Sequence, residues 1–226
     1  MPEEYFEPKL LIPEAAYEKH AVWVEKFDTR REWNSGGTGS DYFVRRQPGY
    51  HTFGNYGLEL TTKATTPAIN DNVWAQYSFP LAQSPVVHLT AVFTLADVSA
   101  DQNVEIELWL PNLAGDGEKK IKVKINVGTK KVYVYKDDGT YVEVGTLNAL
   151  AGYQWNVLEL TYDRVNNKYK TLRINEQSFS VSAYAPYSPA VPDYYTYRVI
   201  GAKLTTLTAA QKTMYVGHFI IRTQPY

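Results

Sequence analysis

From about residue 53 onward, apolar and polar residues alternate in short runs separated by turn-forming residues about every ten positions. Leu58 and Leu60 alternate with Glu59 and Thr61. Val87, Leu89, Ala91, Phe93 and Leu95 alternate with His88, Thr90, Val92 and Thr94. A period of two places successive side chains on opposite faces of a strand. Many such runs at this spacing predict an all-β fold, an antiparallel two-sheet sandwich. Within this strand-rich part only residues 147–152 tempt a helix assignment, and that stretch is short.

The segment 103–145 predicts a four-stranded meander. Val104, Ile106, Leu108 and Leu110 share a face, as do Ile121, Val123, Ile125 and Val127. Val132 with Val134 and Val142 with Val144 follow. A one-residue slip would send a whole apolar set to solvent, so the register is constrained. A two-residue Gly128-Thr129 loop pairs Ile125 with Val132 and Val123 with Val134, and a leading glycine suits a type II′ turn. A three-residue Asp137-Asp138-Gly139 loop with Gly139 left-handed pairs Val134 with Val142 and Val132 with Val144. Before these, Glu107 falls opposite Lys122 and Glu105 opposite Lys124. The outer face then carries one row of Glu107, Lys122, Tyr135 and Tyr141, and another of Glu105, Lys124, Tyr133 and Glu143, with Trp109 and Lys120 at one end. Opposite charges across strands stabilise such a face.

Later segments complete the sandwich. Leu158, Leu160 and Tyr162 point one way, and Leu172 and Ile174 face inward on the returning strand. A late strand with Met214, Val216, His218 and Ile220 on one side is expected to pair with an N-terminal strand around residues 22–27. Residues 1–21 read as an N-terminal arm, with helical turns over 13–19, and 22–226 as one domain. The stretch 34–40, with three glycines, reads as a flexible loop.

Composition narrows the classes. At 226 residues the chain is long enough to bury a large core in one sandwich. It has no cysteine, which excludes disulfides, thiol nucleophiles and cysteine-ligated zinc and leaves the redox compartment open. With 23 Lys+Arg against 24 Asp+Glu, no electrostatic footprint for nucleic acid exists, and no stretch suits membrane insertion. The first residues lack the pattern of a secretory leader, so export by that route is not expected unless the sequence is a piece of a longer one. The cellular location stays open. The 19 tyrosines and 5 tryptophans favour strands and binding surfaces alike.

The order of elements resembles the concanavalin A-like lectin/glucanase superfamily, laminin-G-like modules included. The resemblance rests on Gly57-Leu58-Glu59-Leu60, the meander, and Trp155-Asn156-Val157-Leu158-Glu159-Leu160-Thr161-Tyr162-Asp163 followed by Tyr169-Lys170-Thr171-Leu172-Arg173-Ile174-Asn175. It covers roughly 22–222 and implies a jelly-roll sandwich. It carries little about function, because the fold hosts lectins, hydrolases, lyases and structural modules.

The glucanases of that superfamily look like Glu-x-Asp-x-x-Glu on one strand. Here Glu105 matches the first position, Glu107 stands for the aspartate, and Leu110 replaces the third acid. Lysines opposite both glutamates would hold them ionised instead of raising a pKa, so no catalytic residue is assigned. His20, His51, His88 and His218 are scattered and assign no metal site. No cofactor is implied. Calcium occurs in this superfamily, and Asp97, Asp101 and Asp163 are loop acids, but no calcium-loop spacing supports it.

Two aromatic groups remain as candidate ligand-binding residues. One is Trp109, Tyr133, Tyr135 and Tyr141 on the polar meander face. The other is Tyr184, Tyr187, Tyr194 and Tyr195 in a proline-stiffened loop. They point first to a non-catalytic recognition module for carbohydrate. The alternative is a structural or assembly protein, of a viral particle or surface layer, whose arm and Tyr/Pro loop form interfaces. A glucanase- or lyase-like enzyme comes third. The partner expected is thus a glycan or a protein neighbour, a second copy of the chain included.

Overall fold

The alternating segments pair as strands in a computed structural model, which describes residues 21–25, 27, 33–39, 41–49, 52, 55–79, 84–98, 101–113, 117–189 and 198–224. Residues 1–20 of the expected arm, and Tyr194 and Tyr195, lie outside the described residues. In chain order the strands are β1 (Ala21–Glu25), β2 (Asn34–Gly37), β3 (Phe43–Pro48), β4 (Tyr56–Thr61), β5 (Asn72–Ser78), β6 (Val86–Leu95), β7 (Gln102–Pro111) and β8 (Glu118–Asn126). They continue with β9 (Lys131–Tyr135), β10 (Tyr141–Thr146), β11 (Asn156–Asp163), β12 (Lys168–Ile174), β13 (Gln177–Phe179), β14 (Val199–Thr206) and β15 (Thr213–Gln224).

All pairings between these strands are antiparallel, and no helix occurs among the described residues. One sheet has seven strands in the order β10-β9-β8-β7-β14-β5-β2. The other has eight, β13-β12-β11-β6-β15-β4-β3, with β1 also on β15. The inner faces supply one core, including Ile106, Leu108, Ile121, Val134, Leu89, Phe93, Leu160 and Leu172. Each such side chain contributes about 1.5–3 kcal/mol by leaving water. Tyr169 on β12 is fully buried in this core, and its hydroxyl donates to the Tyr135 carbonyl at 2.7 Å across the sandwich. That bond ties the two sheets and satisfies a polar atom that burial would otherwise penalise.

The meander register is as the apolar pattern required. Glu105 pairs with Lys124, Glu107 with Lys122, Val123 with Val134 and Ile125 with Val132. Gly139 is left-handed (φ 77°), and Val134 faces Val142. Late in the chain β15 does pair with β1, Val24 facing Ile220.

Four local expectations are corrected. At the Gly128 turn the left-handed residue is Lys130 (φ 58°), so the turn is not type II′. Glycine is needed at 128 for room, since a Cβ there would collide with the Asp101 carboxylate. Val144 does not face Val132. A bulge places Gly145 there instead, where a Cβ would stand 3.0 Å from the Phe179 ring. On β15 a second bulge falls between Val216 and His218. Met214, Val216, Phe219 and Ile221 therefore enter the core, while His218 and Ile220 turn to the sheet's other side. The stretch 34–37 is not a flexible loop but the edge strand β2, paired with β5. Its glycines let neighbours close in, because a Cβ on Gly36 would lie 2.5 Å from the Trp74 indole. Residues 147–152, too short for a helix in the sequence, form none in the structure.

Candidate functional site

The outer face of the seven-stranded sheet collects the polar and aromatic residues. It is built by alternation: Ile106, Leu108 and Leu110 point to the core, so Glu105, Glu107 and Trp109 point out. Across β14 and β5 the same register continues the two rows. Glu107 faces Gly201, which faces Gln76, and Glu105 faces Lys203, which faces Trp74. From Tyr133 on β9 to Trp74 on β5 the row crosses four strand spacings, roughly 19 Å at about 4.8 Å each.

Glu107 is the hub. It is 5 % exposed and accepts from Gln76 Nε2 at 2.6 Å, from Trp109 Nε1 at 3.0 Å and from Lys122 Nζ at 3.0 Å. Gly201 makes this possible, since a Cβ there would come within 2.9 Å of both Gln76 and Glu107. Burial pulls the Lys122 ammonium downward, but the charge and hydrogen bond of Glu107 outweigh it and hold its pKa above the ordinary lysine value. Lys124 lies lower than usual, because burial outweighs the attraction of Glu105. Glu105 accepts a 2.6 Å bond from the Tyr141 hydroxyl. Burial, then the negative charge of Glu105, raises the Tyr141 pKa and keeps that phenol protonated.

Ammonium groups sit against the rings. Lys120 Nζ lies 4.2 Å from the Trp109 ring centre, and Lys124 Nζ lies 4.0 Å from that of Tyr141 and 4.7 Å from that of Tyr133. The Tyr/Pro loop reaches the same corner. Lys120 N donates to the Tyr187 carbonyl at 2.9 Å, and Ser188 donates to the Glu118 carbonyl at 3.0 Å. The segment thereby occupies sheet hydrogen-bonding groups beyond the end of β9. It sets the Tyr187 ring 5.3 Å from that of Tyr135, itself 5.0 Å from Tyr141.

Trp109, Tyr133, Tyr135, Tyr141 and Tyr187 are thus brought together. Tyr184 is not: it packs against the core beside Val181, and its carbonyl accepts from Tyr169 N. Trp74, Gln76 and Lys203 belong to the face and were not singled out in the sequence. The signal was there in Val73 and Ala75, whose inward alternation turns Trp74 and Gln76 outward.

The face offers hydrogen-bonding groups and flat rings, but it does not pose a catalytic acid. Both glutamates are engaged, and Leu110, at the position of a third acid, is fully buried in the core. Among the described residues no three acidic or histidine side chains gather as metal ligands. Asp97 is paired with Lys212 at 3.1 Å, and Asp163 caps a turn at Asn166.

No family model and no curated protein sequence matches the chain. Solved structures do. A conserved carbohydrate esterase from the Shiga toxin-encoding bacteriophage phi24B aligns over 90 % of this chain and 98 % of its own, with TM-score 0.57 and 12 % identity. The globular domain of T. cruzi calreticulin aligns over 90 % and 88 %, with TM-score 0.57 and 11 % identity. A Bacteroides ovatus GH16 protein of a mixed-linkage glucan locus, solved with a product, aligns over 88 % and 99 %, with TM-score 0.53 and 12 % identity. Identities this low speak to architecture alone. The chain has the antiparallel jelly-roll sandwich fold that these structures share.

Proposed function

We propose that the chain is a non-catalytic carbohydrate-recognition module that binds a glycan across the outer face of its seven-stranded sheet. The observation that carries this reading is the row of flat rings, Trp74, Trp109 and the meander tyrosines, flanking a registered set of carboxylates, ammoniums and an amide. Rings offer apolar area to the faces of sugar units at low entropy cost, and fixed polar groups between them bond hydroxyls. The solved structures with this fold lend support, since they include a carbohydrate-recognition domain of Emp47p and a Bacillus licheniformis beta-glucanase. A glycan array followed by thermal-shift titration tests it. A saturable ligand is expected, with binding lost in Trp109→Ala and weakened in Trp74→Ala. Failure of every glycan to bind, or binding untouched by both variants, would defeat the reading.

A further inference from the structure

The eight-stranded sheet carries a separate groove on its own outer face, of about 640 Å3, crossing β6, β11 and β12. Its floor is a registered row of polar side chains. Thr171 faces Thr161, Thr161 faces His88, and His88 faces Arg222. Thr171 donates to Thr161 at 2.8 Å, and Thr161 lies 2.9 Å from His88 Nδ1. Arg222 donates to Thr90 at 3.1 Å. Long cationic side chains form the walls: Lys170 and Arg173 from β12, and Arg222 from β15. Glu159 is the one acid in the lining, 3.6 Å from Arg173, and among the described residues no carboxylate lies within ion-pair contact of Lys170, although Asp163 attracts it from farther away. Burial and then the charges of Arg222 and Lys170 hold the His88 imidazole below its usual pKa, so the ring sits in a positive field.

We propose that this groove binds a tetrahedral oxyanion group, sulfate or phosphate, held by Lys170 and Arg222 above the hydroxyl floor. Guanidinium and ammonium donors suit tetrahedral oxyanions, and the serine and threonine hydroxyls complete the shell. The groove lies on the face of the sandwich opposite the glycan surface, so either site stands without the other. The test follows the His88 ring resonances by NMR while sulfate replaces chloride at constant ionic strength. Sulfate is expected to shift them saturably and to move the His88 titration midpoint upward, because the anion offsets the neighbouring cations. Lys170→Gln and Arg222→Gln should each weaken binding roughly tenfold, the effect of one lost charge-assisted hydrogen bond. Lys170 is exposed, so its variant decides the matter if Arg222→Gln fails to fold. Competition by dextran sulfate but not dextran assigns a polymer's sulfate group, and competition by a phosphate monoester assigns phosphate. Sulfate acting no differently from chloride, equal binding in Lys170→Gln, or competition by neither polyanion nor monoester would overturn the proposal.

Discussion

Removing the Glu107 carboxylate should cost the sandwich more than any other single change on its polar face. Glu107 is 5 % exposed, and three donors converge on it: Lys122 at 3.0 Å, Trp109 at 3.0 Å and Gln76 at 2.6 Å. Glu107→Ala leaves the Lys122 ammonium, with 20 % side-chain exposure, without its counter-ion. Breaking one side of a buried pair costs about 3–5 kcal/mol. At about 2–4 °C per kcal/mol for a domain of this size, the melting temperature should fall by roughly 6–20 °C. Glu107→Gln keeps the shape and one acceptor, so its loss should be smaller. Urea titration reads both, with an unchanged slope showing that stability alone has moved. The pH dependence supplies an independent check. Lys122 titrates above the ordinary lysine value of about 10.4 in the folded chain. Its contribution is therefore complete below that value and disappears as pH climbs through the raised folded pKa. Buried Tyr141, Tyr162 and Tyr169 are also raised and add alkaline loss of their own, so the readout is the difference between wild type and variant. Glu107→Gln should shrink the Lys122 share, leaving only the weaker attraction of Glu105 and Tyr135. A Glu107→Ala cost under about 1 kcal/mol, the range of exposed pairs, would refute the hub. So would an alkaline profile identical in the two proteins.

Other substitutions probe the turns and the link between sheets. Gly139→Ala, at φ 77° and with the Tyr187 ring 3.3 Å from its Cβ position, should destabilise by about 1–2 kcal/mol, while Gly139→Asn should cost less; denaturation midpoints compare them. Tyr169→Phe, which deletes the 2.7 Å bond to Tyr135, should cost about 1–3 kcal/mol by leaving a buried carbonyl unsatisfied; a loss near zero would mean that water takes the place. The Asp138 carboxyl is held down to about 2 by hydrogen bonds from Lys136 and Thr140. Carbon-detected NMR should find its midpoint there and see it rise toward the ordinary value in Lys136→Met. An unmoved midpoint would remove Lys136 from the account.

The meander was legible because four apolar sets had to meet on one face, and only one combination of loop lengths allowed it. What the pattern could not encode was contact at a distance. Gly128 is required by Asp101, Gly36 by Trp74 and Gly145 by Phe179, residues remote in sequence or across the sheets. Bulges at Val144 and Gly217 likewise leave alternation intact on both sides while switching which residues face inward. For that reason Ile220 read as sharing a side with Met214 and Val216, when the register puts Phe219 there. The candidate surface was half legible. The meander residues followed from register within one segment, whereas Trp74, Gln76 and Lys203 joined only once β14 and β5 docked beside β7. Tyr184 could not be separated from Tyr187 in sequence, because only the docked loop shows which tyrosine turns to the core.

The 5 tryptophans make the proposed glycan surface directly observable, since each indole N–H gives its own resonance in a two-dimensional NMR spectrum. Titration with the array's strongest glycan should move the Trp74 and Trp109 signals together along one saturation curve. Trp23, stacked on Tyr77, Trp33, tilted against the same ring, and Trp155, on the opposite sheet, should stay in place. Movement of Trp155 with Trp74 and Trp109 unchanged would place the ligand on the other sheet and contradict the proposed site.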